Sequence, residues 1–254
     1  MSFQTKWCYD KGMRYTHNIK TLRKRKHVLT ISLTFTVFLL LLILVLGFTT
    51  LDAKQFFFGF GESLTRVSMA YIVAVFLAMI LTIFVSASHK IEAVSLPILD
   101  VLQSFPSFAL FPLFVVWFGK TAIVTIFILI ITMIWPILFT LLTAQKQIKQ
   151  DVNEAAKIFG ATGWKYFYYV LLPLLFPAII TGSIVSWGEA WEAIIAAEII
   201  VGVPGVGTYL AQAGTNNQTH ILVIGILLLL LLLFILNKYI WLSLLNTSTK
   251  QQQE

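Results

Sequence analysis

The sequence predicts an all-α protein that crosses a membrane about six times. Hydrophobic residues make up 58% of the chain and charged residues only 11%, whereas roughly a quarter of the residues in soluble domains are charged. Uncharged apolar runs recur along the chain, and their lengths lie near the ~20 residues that a helix needs to cross a bilayer. Helices are predicted because an open sheet edge would leave backbone groups unpaired in lipid.

Six apolar runs are the predicted membrane spans. They cover residues 28–48, 67–85, 101–118, 121–142, 166–187 and 221–245. The first is predicted to be an uncleaved helix, because it is longer than the apolar region of a signal peptide, about 7–15 residues. The third is interrupted by Pro106 and Pro112, and proline removes a backbone donor and tends to kink a helix. In the last, Lys238 lies close enough to the end for its side chain to reach the headgroups.

The basic residues predict that both termini lie in the cytosol. Eight of them precede the first span, and with the N-terminus inside, fifteen of the 18 lysine and arginine residues face the cytosol. Only Lys54, Arg66 and Lys120 then face outward, in agreement with the positive-inside rule. The net charge of +7 is therefore attributed to membrane orientation rather than to nucleic-acid binding.

A polar segment at residues 150–165 separates the fourth and fifth spans. Four apolar residues recur there at the spacing of one helix face: Val152, Ala155, Ala156 and Phe159. Gly160 and Gly163 permit a sharp turn after this short helix. Its small alanine face is unlike that of a helix lying on lipid, so a groove on a partner protein is the better interpretation.

Prolines and acids mark a candidate path through the membrane. Pro106, flanked by Ser104 and Ser107, is the best candidate for a broken helix beside a path, although such breaks also help helices to pack around one another. Glu198 lies in an otherwise apolar stretch, so we expect it to face a path or gate, a structural partner or water. With Glu189 and Glu192 it would repel an anionic solute or contact basic residues of a partner, and these alternatives remain open.

Two nucleotide-binding patterns are incomplete. Gly119-Lys120-Thr121 lacks the first glycine of a P-loop, so ATP hydrolysis is expected on another chain. The glycines between residues 202 and 207 lack the order of a dinucleotide-binding motif and predict a flexible outer loop.

The segment from Glu154-Ala155-Ala156 through Gly160 to Val170-Leu171-Leu172-Pro173 resembles the EAA motif of permease subunits of binding-protein-dependent ABC importers. The family has isoleucine where this chain has Val170. Residues 99–106, 110–119 and 190–202 resemble the branch that handles nitrate, sulfonate and taurine. The resemblance covers about residues 64–245.

This resemblance implies a type I ABC importer permease fold, with 64–245 as the transmembrane domain and 150–165 as its cytosolic coupling segment. Residues 1–27 would be a basic cytosolic tail, 28–63 the first span with its outer loop, and 246–254 a second cytosolic tail. The residues that the motif assigns to ATPase coupling are Glu154, Ala155, Ala156, Phe159, Gly160 and Pro173.

The implied protein is a transport subunit of the cell inner membrane, not an enzyme, and it needs no cofactor. The implied partners are two ATP-binding subunits, a second permease copy and an extracytoplasmic solute-binding protein. The implied cargo is a small solute such as nitrate, a sulfonate, taurine or a related organic molecule. The alternative is a stand-alone secondary transporter or channel, which would be expected to show paired ionisable residues in the bilayer core and an inverted repeat.

Overall fold

A computed structural model describes residues 52–148 and 150–241, together with residues 37 and 244. Every regular element in these residues is helical, which confirms the predicted all-α class. Apart from residue 37, the predicted first span at 28–48 lies outside the described residues, as do the two tails.

The helices follow one another with short connections. In chain order they are α1 (Ala53–Val85), α2 (His89–Gln103), a 3₁₀ turn (Ser107–Leu110), α3 (Phe111–Phe118), α4 (Ala122–Lys146), α5 (Gln150–Ile158), α6 (Trp164–Val201), α7 (Val206–Thr215) and α8 (Thr219–Trp241). Side chains cap the first two helices, since Asp52 accepts a hydrogen bond from the Gln55 amide and Ser88 accepts one from the Ile91 amide.

Four of these helices are long and apolar enough to cross a membrane: α1, α4, α6 and α8. The α2–α3 pair makes a fifth span if it is counted as one, and it bends by 78° at the break that contains Pro106. Both α1 and α6 extend well beyond the predicted runs at 67–85 and 166–187. In the sequence, charged residues ended those runs, Arg66 the first and Glu189 the second. In the fold Arg66 is buried inside α1 against Glu198, and α6 continues past Glu189, which is exposed on its surface.

Small residues allow the central helices to approach closely. Ala70, Ala74 and Ala78 recur every four residues along α1, and all three are fully buried. On α6, a Cβ atom at Gly182 would lie 2.8 Å from the Cα of Ile137 on α4, so only glycine fits there. Close backbone approach of this kind is a common way of packing helices in a bilayer, where lipid removes most of the hydrophobic driving force.

A buried polar cluster joins α1, α6 and the start of α7. Glu198 is fully buried, and its Oε1 atom accepts hydrogen bonds from Arg66 Nη1 at 2.8 Å and from Ser63 Oγ at 2.7 Å. Its Oε2 atom accepts a third bond from the amide of Gly207 at 2.8 Å. Arg66 also donates to the Pro204 carbonyl at 2.7 Å. The carboxylate is thus paired and hydrogen-bonded on both oxygens, which a buried charge requires.

The glycines near Glu198 are needed for close packing. A Cβ atom on Gly205 would overlap the Glu198 carboxylate, and one on Gly207 would lie 2.6 Å from the Ile195 carbonyl oxygen. The amide of Val206, between them, donates to Ser63 Oγ at 3.0 Å. The segment at 202–207, predicted as a flexible outer loop, is therefore a tightly fitted cover over the cluster.

Replacing Arg66 should destabilise the folded subunit. Arg66→Leu leaves the Glu198 carboxylate buried without its cation, and breaking such a pair costs about 3–5 kcal/mol. Glu62→Gln is the matched control, because Glu62 is the exposed partner of the same guanidinium and an exposed pair contributes only about 0–1 kcal/mol. Unfolding by denaturant in detergent micelles measures both, and wild-type stability for Arg66→Leu would contradict the assignment.

Candidate functional site

The polar segment between α4 and α6 forms the predicted short helix and glycine break. Helix α5 ends at Ile158, and Gly160 and Gly163 both adopt positive φ angles, of 73° and 54°. Such a backbone is strained for other residues, so the turn that ends α5 depends on glycine. At the other end, Lys146 Nζ of α4 lies 2.7 Å from Glu92 Oε1 of α2, which joins the last turn of α4 to the start of the bent pair.

The predicted apolar face of α5 divides into two parts. Ala156 is buried and Val152 is half-buried against the subunit, whereas Ala155, Glu154 and Phe159 are exposed. Three large apolar side chains around the glycine turn form an exposed surface, which we call the coupling surface: Ile158, Phe159 and Trp164 are 82%, 87% and 79% exposed. Pro173 lies further along, exposed, just after a wide π turn at Phe167–Leu171.

The predicted path residues Ser104, Pro106 and Ser107 lie together at the bend between α2 and α3. They line a groove of about 480 Å³, here called the serine groove, whose other walls come from α4 and α6. Its lining from those helices is Thr132, Trp135, Pro136, Phe139, Val185 and Glu189. Ser104 Oγ donates to the Asp100 carbonyl at 2.9 Å, so its hydrogen is used within α2.

Glu198, the fourth predicted path residue, does not line this groove. It is fully buried in the cluster with Arg66 and Ser63, which is the structural pairing that the sequence left as an alternative. Glu189, nine residues earlier on α6, is the acid that lines the groove. The sequence contained a signal for the pair, because Glu62 and Arg66 stand at i, i+4 directly before an apolar run, but it did not indicate which acid Arg66 would contact.

A second groove of about 730 Å³ lies nearer α5. Its hydroxyl groups come from Thr140 and Thr143 of α4 and Thr181 of α6, and we call it the threonine groove. Each hydroxyl donates to the carbonyl four residues earlier in its own helix, at 2.6, 2.8 and 2.9 Å. The donors are satisfied, while the oxygen atoms keep lone pairs that can accept from water or a solute. Val152 of α5 lines the same groove.

The two grooves meet at Phe139, which lines both. Along α4 the serine groove takes residues before Phe139 and the threonine groove takes residues after it. Along α6 the order is reversed, with Val185 and Glu189 in the serine groove and Thr181 in the threonine groove, as expected for antiparallel helices. A groove with polar groups therefore runs along α4 and α6 from the proline bend to α5.

Comparison with known proteins identifies a family for most of the transmembrane region. Residues 74–240 match the family described as the binding-protein-dependent transport system inner membrane component. This range contains the α2–α3 bend, both grooves, α5 and Glu198, but not Ser63 or Arg66. It favours a permease subunit over a stand-alone secondary transporter or channel.

Similar proteins include several permeases for small solutes. The bicarbonate transport system permease protein CmpB of Synechococcus elongatus is 31% identical over 75% of this chain and 69% of its own length. The nitrate import permease protein NrtB of Leptolyngbya laminosa is 33% identical over 70% of this chain and 64% of its own length. The taurine transport system permease protein TauC of Escherichia coli is 29% identical over 69% of this chain and 64% of its own length.

The family match takes in more than half of the chain, and its helices supply the apolar spans of a multi-pass inner-membrane protein. The chain therefore belongs to the binding-protein-dependent transport family and is an ABC importer permease of the branch that includes the bicarbonate, nitrate and taurine permeases.

Proposed function

We propose that this subunit forms one wall of the path for a small polar solute and couples that path to a separate ATP-binding subunit in the cytosol. The observation that carries the proposal is the lining of the threonine groove, where Val152 of α5 stands beside Thr143 of α4 and Thr181 of α6. Because α5 is part of this wall, a partner that moves α5 changes the shape of the path. The resemblance of residues 154–173 to the EAA motif supports the same role for α5.

The coupling surface supports a protein partner for α5. Burying a large apolar side chain such as Ile158, Phe159 or Trp164 contributes about 1.5–3 kcal/mol, so a cleft on a partner would gain from receiving them. Helix α5 carries Asp151 and Glu154 as well as Lys157. A helix that rests on anionic lipid is usually rich in lysine and arginine instead, which favours the ATP-binding subunit as the occupant.

The complete importer in this proposal contains two copies of this chain, two ATP-binding subunits and an extracytoplasmic solute-binding protein. Each groove is open along one side, and a second copy related by two-fold symmetry would close it into a central path. ATP-driven closure of the ATP-binding pair would bring the two α5 helices together and switch the path between inward-facing and outward-facing forms. Phe139 would then be the constriction between the two parts of the path.

Breaking the turn after α5 should uncouple transport. Gly160→Pro forces a negative φ where the chain has 73°, so the coupling surface loses its position while the spans stay intact. Solute-stimulated ATP hydrolysis in proteoliposomes should fall by about tenfold or more, a change of roughly 1.4 kcal/mol in coupling. Gly61→Ala is the control, because nothing lies within 4 Å of a Cβ atom there and its φ is ordinary. Normal transport and normal recovery of the ATPase with Gly160→Pro would contradict the proposal.

The orientation of the chain can be tested with single cysteines. Cys8 is the only cysteine, so Cys8→Ser gives a thiol-free background. Cysteines at Gln4, Gln150 and Gln251 should react with a membrane-impermeant maleimide only from the cytosolic side, because the positive-inside rule places them there. Cysteines at Gln55 and Asn216 should react only from the outside. Labelling of Gln150→Cys from outside would overturn the cytosolic position of α5.

Cysteines in the two grooves should report the state of the path. In the Cys8→Ser background, Thr143→Cys should react with water-borne thiol reagents faster in the resting importer, and Ser107→Cys faster when ATP is trapped. Polar or broken helix segments persist at membrane depth only beside water or protein. Thr143 lies on the α5 side of Phe139 and Ser107 on the other side, so the inward-facing form should expose Thr143 and the outward-facing form should expose Ser107. Ala74→Cys is the buried control on α1 and should stay unreactive. Protection of both groove positions in every state would remove them from the path.

A further inference from the structure

The serine groove carries negative charge from its own wall. Glu189 is exposed on α6 and lines the groove, and none of the described residues that line it is lysine or arginine. Gln103, another lining residue, donates from Nε2 to Asp100 Oδ1 at 2.7 Å, and Asp100 itself does not line the groove. A bound solute would therefore meet the Glu189 carboxylate without a neutralising cation from the described wall.

Two neutral groups of the groove present acceptors. Pro136 has no N–H, so the Thr132 carbonyl lacks its usual helical donor at this wall. Ser104 uses its hydrogen within α2 and presents only oxygen lone pairs. The indole Nε1 of Trp135, another lining residue, is buried with no hydrogen-bond partner among the described residues.

We propose that the serine groove selects solutes that carry a positively charged nitrogen, and that Glu189 is the carboxylate that this nitrogen meets. The proposal rests on the proposed function, since it takes the groove as part of the path. A carboxylate beside a water-filled groove in a low-dielectric surrounding attracts cations and repels anions strongly. The selected cargo differs in charge from nitrate and bicarbonate, for which two of the relatives are named.

Charged thiol reagents test the groove without knowledge of its natural cargo. In the reconstituted importer with Cys8→Ser, a cysteine at Ser104 is treated with two reagents of similar size, trimethylammonium-ethyl and sulfonatoethyl methanethiosulfonate, and with neutral methyl methanethiosulfonate. The ratio of the cationic rate to the anionic rate, normalised to free cysteine, reports the potential in the groove. We expect the cationic reagent to react about tenfold faster, from one nearby charge at intermediate dielectric.

Substitutions at Glu189 make the test specific. Glu189→Gln removes the charge but keeps the size of the side chain, and it should reduce the rate ratio about tenfold. Glu189→Lys reverses the charge and should reverse the preference. Glu192→Gln is the matched control on the same helix, and its effect should be smaller because Glu192 does not line the groove.

The outcomes separate this inference from the proposed function. Normal reaction with the neutral reagent but no preference for the cation, or a ratio that Glu189→Gln leaves unchanged, overturns the charge selection and leaves the path intact. Failure of Ser104→Cys to react with any reagent in any ATP state would instead remove the groove from the path, and the inference would fall with it. Equal effects of Glu189→Gln and Glu192→Gln would overturn the role of Glu189 as the selecting carboxylate.

Discussion

The free-energy cost of placing charged side chains and unpaired backbone groups in a bilayer explains the main features of this structure. Arg66 and Glu198 survive inside long apolar helices because each satisfies the other, and because Ser63 and two backbone groups of the 204–207 segment complete their hydrogen bonds. The pair ties α1 to α6 and fixes the start of α7 above them. The same cost explains why glycine is needed at 205, since a side chain there would displace the carboxylate from its partners, while at 207 a side chain would first meet the backbone of Ile195.

Several other polar groups of the described residues lie along the serine and threonine grooves. The proline bend between α2 and α3, the hydroxyls of α4 and α6, and Glu189 all line a continuous surface that leads to α5. In lipid such groups would be costly, and beside water they are not. In the proposed assembly, a second permease copy would cover the groove, and an ATP-binding subunit would cover the exposed apolar surface around Phe159.

The sequence predicted the helical class, the later spans, the bend at Pro106 and the short helix with its glycine break, because each of these depends on local composition and on residues with special backbone preferences. It underestimated α1 and α6, because a charge that is paired across helices, such as Arg66, or that faces a groove, such as Glu189, cannot be distinguished in sequence from one that ends a span. It selected Glu198 as the acid of the path, because Glu198 lies in an otherwise apolar stretch. Only packing decides that Glu198 turns towards Arg66 while Glu189 lines the groove. The proposed constriction at Phe139 likewise depends on how closely α4 and α6 approach each other, which no local sequence pattern encodes.

An electron cryo-microscopy structure of the complete importer with ATP trapped would test the coupling of α5 to the path most directly. We expect Phe159 and Trp164 to be buried in a cleft of the ATP-binding subunit. We also expect the serine and threonine grooves of two permease copies to face each other across one enclosed path. A structure in which α5 lies on lipid, or in which both grooves face the bilayer while the solute passes elsewhere, would contradict the proposed coupling.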